Sequence, residues 1–181
     1  MPRIPYKPAD STEPRQLVEA IRARRGGRLL HLDRMLLHSP AYARGWNTFL
    51  GAVRNDLALP AKLRELAICC VAVLNRAEYE FHHHAPQLIA TGGTHEQVEA
   101  LRRLDASPAD AKLFDATERA VIDYTLEMTR AVAVSDAAFA RVAAALASTE
   151  HMVELTGVIA AYNMVSRFLV ALQITPEDES G

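Results

Sequence analysis

Residues 59–86 read LPAKLRELAICCVAVLNRAEYEFHHHAP, and this stretch decides the fold. Leu59-Pro60 sets a helix start. From there Leu63, Leu66, Ile68, Cys70, Val71, Val73 and Leu74 leave little of the circumference polar, which marks a central, buried helix. A carboxylate inside such a helix needs a partner or a proton, so Glu65 requires a reason. After Asn75-Arg76 a second helix is expected through Glu78-Tyr79-Glu80-Phe81-His82-His83-His84 to about Thr91, where Gly92-Gly93 stops it.

Working outward, apolar residues recur at spacings of three and four, with no sustained alternation, so the whole chain reads as all-α. Helices are expected at about 14–24 before Gly26-Gly27, in a short piece through Leu29, Leu32 and Leu36, and from Ser39-Pro40 to about Leu57. In the last of these, Tyr42, Trp46, Phe49 and Val53 form the expected core stripe. Thr94 with Gln97 is a capping-box pattern opening a helix to about Leu104, and Ser107-Pro108 marks a loop. Three more helices follow at about 115–131, 136–147 and 150–173, with Ser135 and Ser148 as N-caps. A weak internal echo pairs Glu65-Leu66 and Asn75 with Glu154-Leu155 and Asn163, a hint of two related hairpins.

The chain has 181 residues, with 20 Lys+Arg against 22 Asp+Glu, enough for one compact core and too balanced for phosphate-driven nucleic-acid binding. Arg22, Arg24, Arg25 and Arg28 then read as a solvated helix end. Cys69 and Cys70 are adjacent in an apolar run, which excludes a secreted disulfide framework and points to a reducing, cytoplasmic setting. Neighbouring helical positions diverge by about 100°, so the two cannot bond to each other without distortion. Residues 1–13 carry three prolines in the first eight positions and no apolar h-region; they read as an extended arm, neither a signal peptide nor a membrane span. The tail at 176–181 is acidic.

Glu80 and His84 stand four apart on one helix face, and a hairpin would bring Glu65 toward that face. A buried carboxylate, an imidazole and a second carboxylate suit general acid–base work, since desolvation and repulsion pull their proton affinities apart. The residues alone leave a plainer account open: Glu65 pairs with Arg64, Arg76 or another arginine, and Glu80–His84 is a surface pair of a few tenths of a kcal/mol. A metal site built from Glu65, Glu80 and His84 is a third possibility, because His82, His83 and His84 splay around the helix and cannot all reach one ion. Tyr124, Tyr162 and Asn163 read as core polar groups.

The phrases LPAKLRELAI and AEYEFHHH with the following Gly-Gly turn resemble the core of the carboxymuconolactone decarboxylase and AhpD-like alkylhydroperoxidase superfamily; ELTGVIAAYNMVSRFLVAL near the end resembles its extended members. In the peroxidase branch a glutamate, two cysteines and a histidine occupy positions that fall here on Glu65, Ala77, Glu80 and His84. The Cys-x-x-Cys dithiol is therefore missing and its disulfide cycle is impossible at those positions. The resemblance implies an AhpD-like helical domain over residues 14–175, a homo-oligomer and no metal or other cofactor.

The resulting expectation is a non-redox enzyme acting on a small organic acid or lactone, with no nucleic-acid or membrane partner. Its site would lie between the 60–75 and 78–91 helices, with Glu65 and His84 exchanging the proton, Glu80 tuning them, and Trp46, Tyr79 and Phe81 as apolar walls. Two alternatives stand beside it: a peroxiredoxin-like protein using Cys69 as an atypical thiol, and a catalytically silent oligomeric binding protein.

Overall fold

A computed structural model describes residues 1–104, 109–146 and 148–177, and among these no strand occurs. The helices are α1 (Arg15–Arg24), α2 (His31–Leu36), α3 (Pro40–Asn55), α4 (Ala61–Leu74), α5 (Glu78–Ala90), α6 (His95–Leu101), α7 (Ala116–Ala131), α8 (Asp136–Leu146) and α9 (Thr149–Leu172). The all-α reading and the helix order hold. Ser107-Pro108 and the tail beyond Glu177 lie outside the described residues. Two compact units result, one of Met1–Asp56 with Leu169 onward, the other of Leu57–Phe168.

In the larger unit α4 is the centre, lying along α5 on one side and α7 on the other, with α8 against α7. Leu66, Ala67, Ile68, Cys69, Cys70 and Val71 are all buried, as an apolar circumference demands. Asn75 and Arg76 reverse the chain, and the Ala77 N–H donates to Ala72 O at 2.8 Å to close the turn into α5. At the far end Gly93 N–H donates to Leu88 O, and a Cβ at Gly93 would stand 2.8 Å from that oxygen, so only glycine fits. The Thr94–Gln97 capping box forms in both directions, at 3.2 and 3.1 Å. Ser135 and Ser148 cap their helices by accepting from Ala138 and His151.

Helix α9 is long and apolar enough to cross a bilayer by length and composition, yet Leu155, Val158, Ile159 and Tyr162 are buried in the protein. Its polar groups also turn inward: Glu154 accepts from the N–H groups of Ala58 and Leu59, and Asn163 Nδ2 donates to Thr129 Oγ1 at 3.0 Å. These are marks of a core helix. The two asparagines of the sequence echo meet directly, Asn75 Nδ2 donating to Asn163 Oδ1 at 3.1 Å.

In the smaller unit α3 packs with α1 and α2. Its buried seam is Ala43, Trp46, Leu50 and Val53, which corrects the sequence expectation: Tyr42 and Phe49 are 45% and 50% exposed. Small Ala43 lets the neighbouring helices close on α3, so the bulky rings one position away are left at the edge. Ser39 takes the N-cap backbone position without a side-chain bond. The arm folds back on its own chain: Arg3 donates to Leu172 O and Ala171 O, and Tyr6 stacks on His31 with ring centroids 4.2 Å apart.

The basic stretch is also corrected. Arg28 is exposed, but Arg24 and Arg25 fold inward onto Asp33, itself buried, at 3.4 and 3.3 Å. Burial, with Arg25 and Arg54 adding their repulsion, brings the Arg24 guanidinium down to about 10.

Candidate active site

Glu65 sits on α4 with its carboxylate turned to α5, where His84 Nδ1 lies 2.7 Å from Glu65 Oε2. The other oxygen, Oε1, accepts from Arg64 Nε at 3.3 Å. The Glu65 side chain is 5% exposed and that of His84 15%. Burial pushes the Glu65 carboxyl up, but the hydrogen bond and charge of His84, together with Arg64, outweigh it and hold the group below the usual carboxylate range. Glu65 is therefore ionised at neutral pH. An ionised carboxylate can only accept, so Nδ1 of His84 carries the shared proton. Tyr162 from α9 stands edge-on to the imidazole, ring centroids 5.0 Å apart.

Glu80 goes elsewhere. It is on the same face of α5 as His84, but it is 2% exposed, and its Oε1 accepts from Ser166 Oγ of α9 at 2.9 Å, while Oε2 is buried with no hydrogen-bond partner among the described residues. Burial drives its carboxyl well above the ordinary range, against the smaller opposing effect of the Ser166 bond. Glu80 is thus a neutral acid, and of the two causes expected from the sequence, desolvation and repulsion, it is desolvation that acts on it. Ser166 escaped the sequence reading, although a serine inside an apolar helix is the same kind of signal that singled out Glu65.

The expected apolar walls divide. Tyr79 and Phe81 are buried, but Tyr79 faces His83 at 4.5 Å and Phe81 lies under the Arg102 guanidinium at 4.2 Å. Trp46 is buried within the smaller unit, beside Tyr42. Tyr162 is an aromatic ring that stands against the dyad. Among the described residues no three His, Cys, Asp or Glu side chains gather in a way that would hold a metal ion; the turn of Glu80 toward Ser166 takes one member out of the only set the sequence offered.

Cys69 and Cys70 are free thiols with no exposed surface. Burial raises both, and the Glu65 carboxylate raises Cys69 further, so each stays protonated and poorly nucleophilic. A thiol-exchange reagent such as dithionitrobenzoate at pH 8 is expected to titrate neither cysteine in the folded protein and both after unfolding in urea. Rapid modification of one thiol in the native state would return Cys69 to consideration as a nucleophile.

Residues 40–125 match the Carboxymuconolactone decarboxylase family. The chain is similar in structure to an uncharacterized peroxidase-related protein from Silicibacter sp. TM1040, with TM-score 0.80 and 18% identity over 98% of this chain and 93% of that one. The alkylhydroperoxidase AhpD core of a peroxidase-related protein from Ralstonia eutropha JMP134 gives TM-score 0.80 and 19% identity over the same shares. The debrominase Bmp8, solved as a cysteine-to-alanine variant with 2,3,4-tribromopyrrole, gives TM-score 0.75 and 16% identity over 95% of this chain and 90% of that one. No protein of curated function matches the chain by sequence.

Proposed function

We propose, from the match of residues 40–125 to the Carboxymuconolactone decarboxylase family and the likeness in fold to AhpD-like structures, that the chain is a thiol-independent acid–base enzyme acting on a small organic acid or lactone. The observation that carries this reading is the 2.7 Å contact between an ionised, nearly buried Glu65 and His84 Nδ1. Glu65 is a positioning residue: it fixes the tautomer and plane of the ring and stabilises the imidazolium when His84 holds a second proton. His84 Nε2 is the atom that meets substrate. Arg64 keeps the carboxylate in place and supplies a positive charge beside the dyad, which suits an anionic substrate.

In a decarboxylation the carbon–carbon bond to the carboxylate breaks, CO₂ leaves, and its electron pair passes into the conjugated lactone. The proton on Nε2 of the imidazolium is then delivered to carbon, and the neutral ring regains a proton from water. In an isomerisation the same nitrogen removes a proton from one carbon and returns it to another. Neither route uses sulfur, consistent with Ala77 and Glu80 at the dithiol positions and with two buried, protonated thiols. The peroxidase-related names of similar structures favour a second reading, hydroperoxide reduction, for which Cys69 is the nearest sulfur to the dyad in sequence.

The test is to incubate the protein in D₂O with a panel of carboxylated unsaturated lactones and β-oxo acids, following CO₂ release and deuterium at carbon by NMR. Enzyme-dependent deuterium on carbon for at least one compound is the expected result. Rates equal to buffer across the panel, with turnover of alkyl hydroperoxides that is lost in Cys69→Ala, would replace this reading with the second.

A further inference from the structure

Within the smaller unit α1 and α3 border an open cleft of about 450 Å³, within the size range of small-ligand sites. Pro14, Leu17 and Ala20 supply its apolar side; Arg15, Arg44 and Asn47 supply polar groups, and no acid is among its described lining residues. Asn47 is not a loose surface amide. Arg24 Nε, which can only donate, reaches Asn47 Oδ1 at 2.8 Å, so the amide oxygen is committed inward and the NH₂ group is left for the cleft. Arg24 is itself held by the buried Asp33 carboxylate, which also takes Arg25. A donor at the cleft is thus set in place by the half-buried Arg24 and, behind it, the buried Asp33, the support that a binding group needs to be preorganised.

Charge has the same sense. Arg15 and Arg44 line the cleft, and Arg24 and Arg25 follow behind Asn47, against three carboxylates: Glu13, which accepts from the Arg15 backbone N–H, Glu19 on Arg15, and Asp33 on Arg24 and Arg25. The surplus is positive, which favours an anion, and salt is expected to screen it because Arg15 and Arg44 are exposed. We infer that the α1–α3 cleft is a binding site for a small carboxylate with a short apolar body, its oxygens on Arg44 and the Asn47 amide and its body on Pro14, Leu17 and Ala20. This site does not depend on the Glu65–His84 dyad, and the experiment separates the two.

Benzoate and its uncharged isostere benzamide are the probes, titrated into the full chain by calorimetry at low ionic strength. Benzoate is expected to bind at least tenfold more tightly than benzamide. Asn47→Asp keeps the oxygen that Arg24 needs and puts a negative charge where the NH₂ stood, so it should weaken benzoate at least tenfold; Arg44→Gln, at an exposed position that leaves the fold intact, should weaken it severalfold. Glu65→Gln should leave one benzoate site unchanged. Equal affinity for benzoate and benzamide, no benzoate binding up to about 10 mM, unchanged affinity in folded Asn47→Asp and Arg44→Gln, or a single site that vanishes with Glu65→Gln would each overturn the assignment.

Discussion

His84→Asn is expected to reduce turnover by about 10²- to 10⁴-fold, the usual worth of a positioned proton-transfer group, without unfolding the helices. The asparagine NH₂ can stand near the position of Nδ1 and continue to donate to Glu65, so the buried carboxylate keeps a partner; what disappears is Nε2, the atom assigned to the proton. Glu65→Gln should cost less, about 10- to 100-fold, because the ring remains but its tautomer and charge are no longer held by an anion. The two losses should not add, since both act through one imidazole. The readouts are kcat, KM and far-UV circular dichroism for the two single variants and the double. A folded His84→Asn protein retaining more than about a tenth of wild-type turnover would remove His84 from the chemistry. In wild type the activity that depends on ionised Glu65 should persist below the ordinary carboxyl range, because its proton affinity is depressed by His84 and Arg64 against the effect of burial.

Glu80→Gln should make the protein more resistant to alkaline loss of stability than wild type. Glu80 is raised well above 4.5 by burial, so in the folded state it holds a proton that the unfolded chain releases. The stability linked to this group is full below about 4.5 and is lost as pH rises toward the folded value. Across that window the wild-type unfolding free energy should fall, relative to Glu80→Gln, by about 1.4 kcal/mol per pH unit. Glu65 acts with the opposite sign: its depressed value contributes stability above the ordinary range that is lost as pH falls through it. Urea unfolding of both proteins at pH 5, 6, 7 and 8 isolates the Glu80 contribution as the difference between two profiles. Parallel profiles would show that Glu80 is ionised in the fold and that Ser166 alone does not describe its surroundings.

Much of the scaffold was legible because helices announce themselves locally. The apolar circumference of residues 61–74, the Gly92-Gly93 stop and the Thr94–Gln97 cap each depend on residues within a few positions of one another. The pairing of Glu65 with His84 was also within reach, since a carboxylate in a helix too apolar for the surface must find a partner on the adjoining helix. The plainer alternative proved to be present as well, for Arg64 shares the same carboxylate with His84. The α3 stripe was less secure: Trp46 and Val53 belong to both candidate faces, and only the packing of α1 and α2 chose Ala43 and Leu50 over Tyr42 and Phe49.

By itself the sequence determined an all-helical chain, a central α4 and a glutamate inside it that demanded compensation, because periodicity and desolvation operate on residues close together in the chain. Only the tertiary structure decided which acid joined the imidazole. Ser166 lies 86 positions from Glu80, and no local pattern tells a carboxyl whether the helix arriving from that distance will meet it with a hydroxyl, a histidine or nothing. The packing of α9 turned one of two similar glutamates into a buried neutral acid and left the other as an anion, since proton affinity is set by what surrounds a group in space.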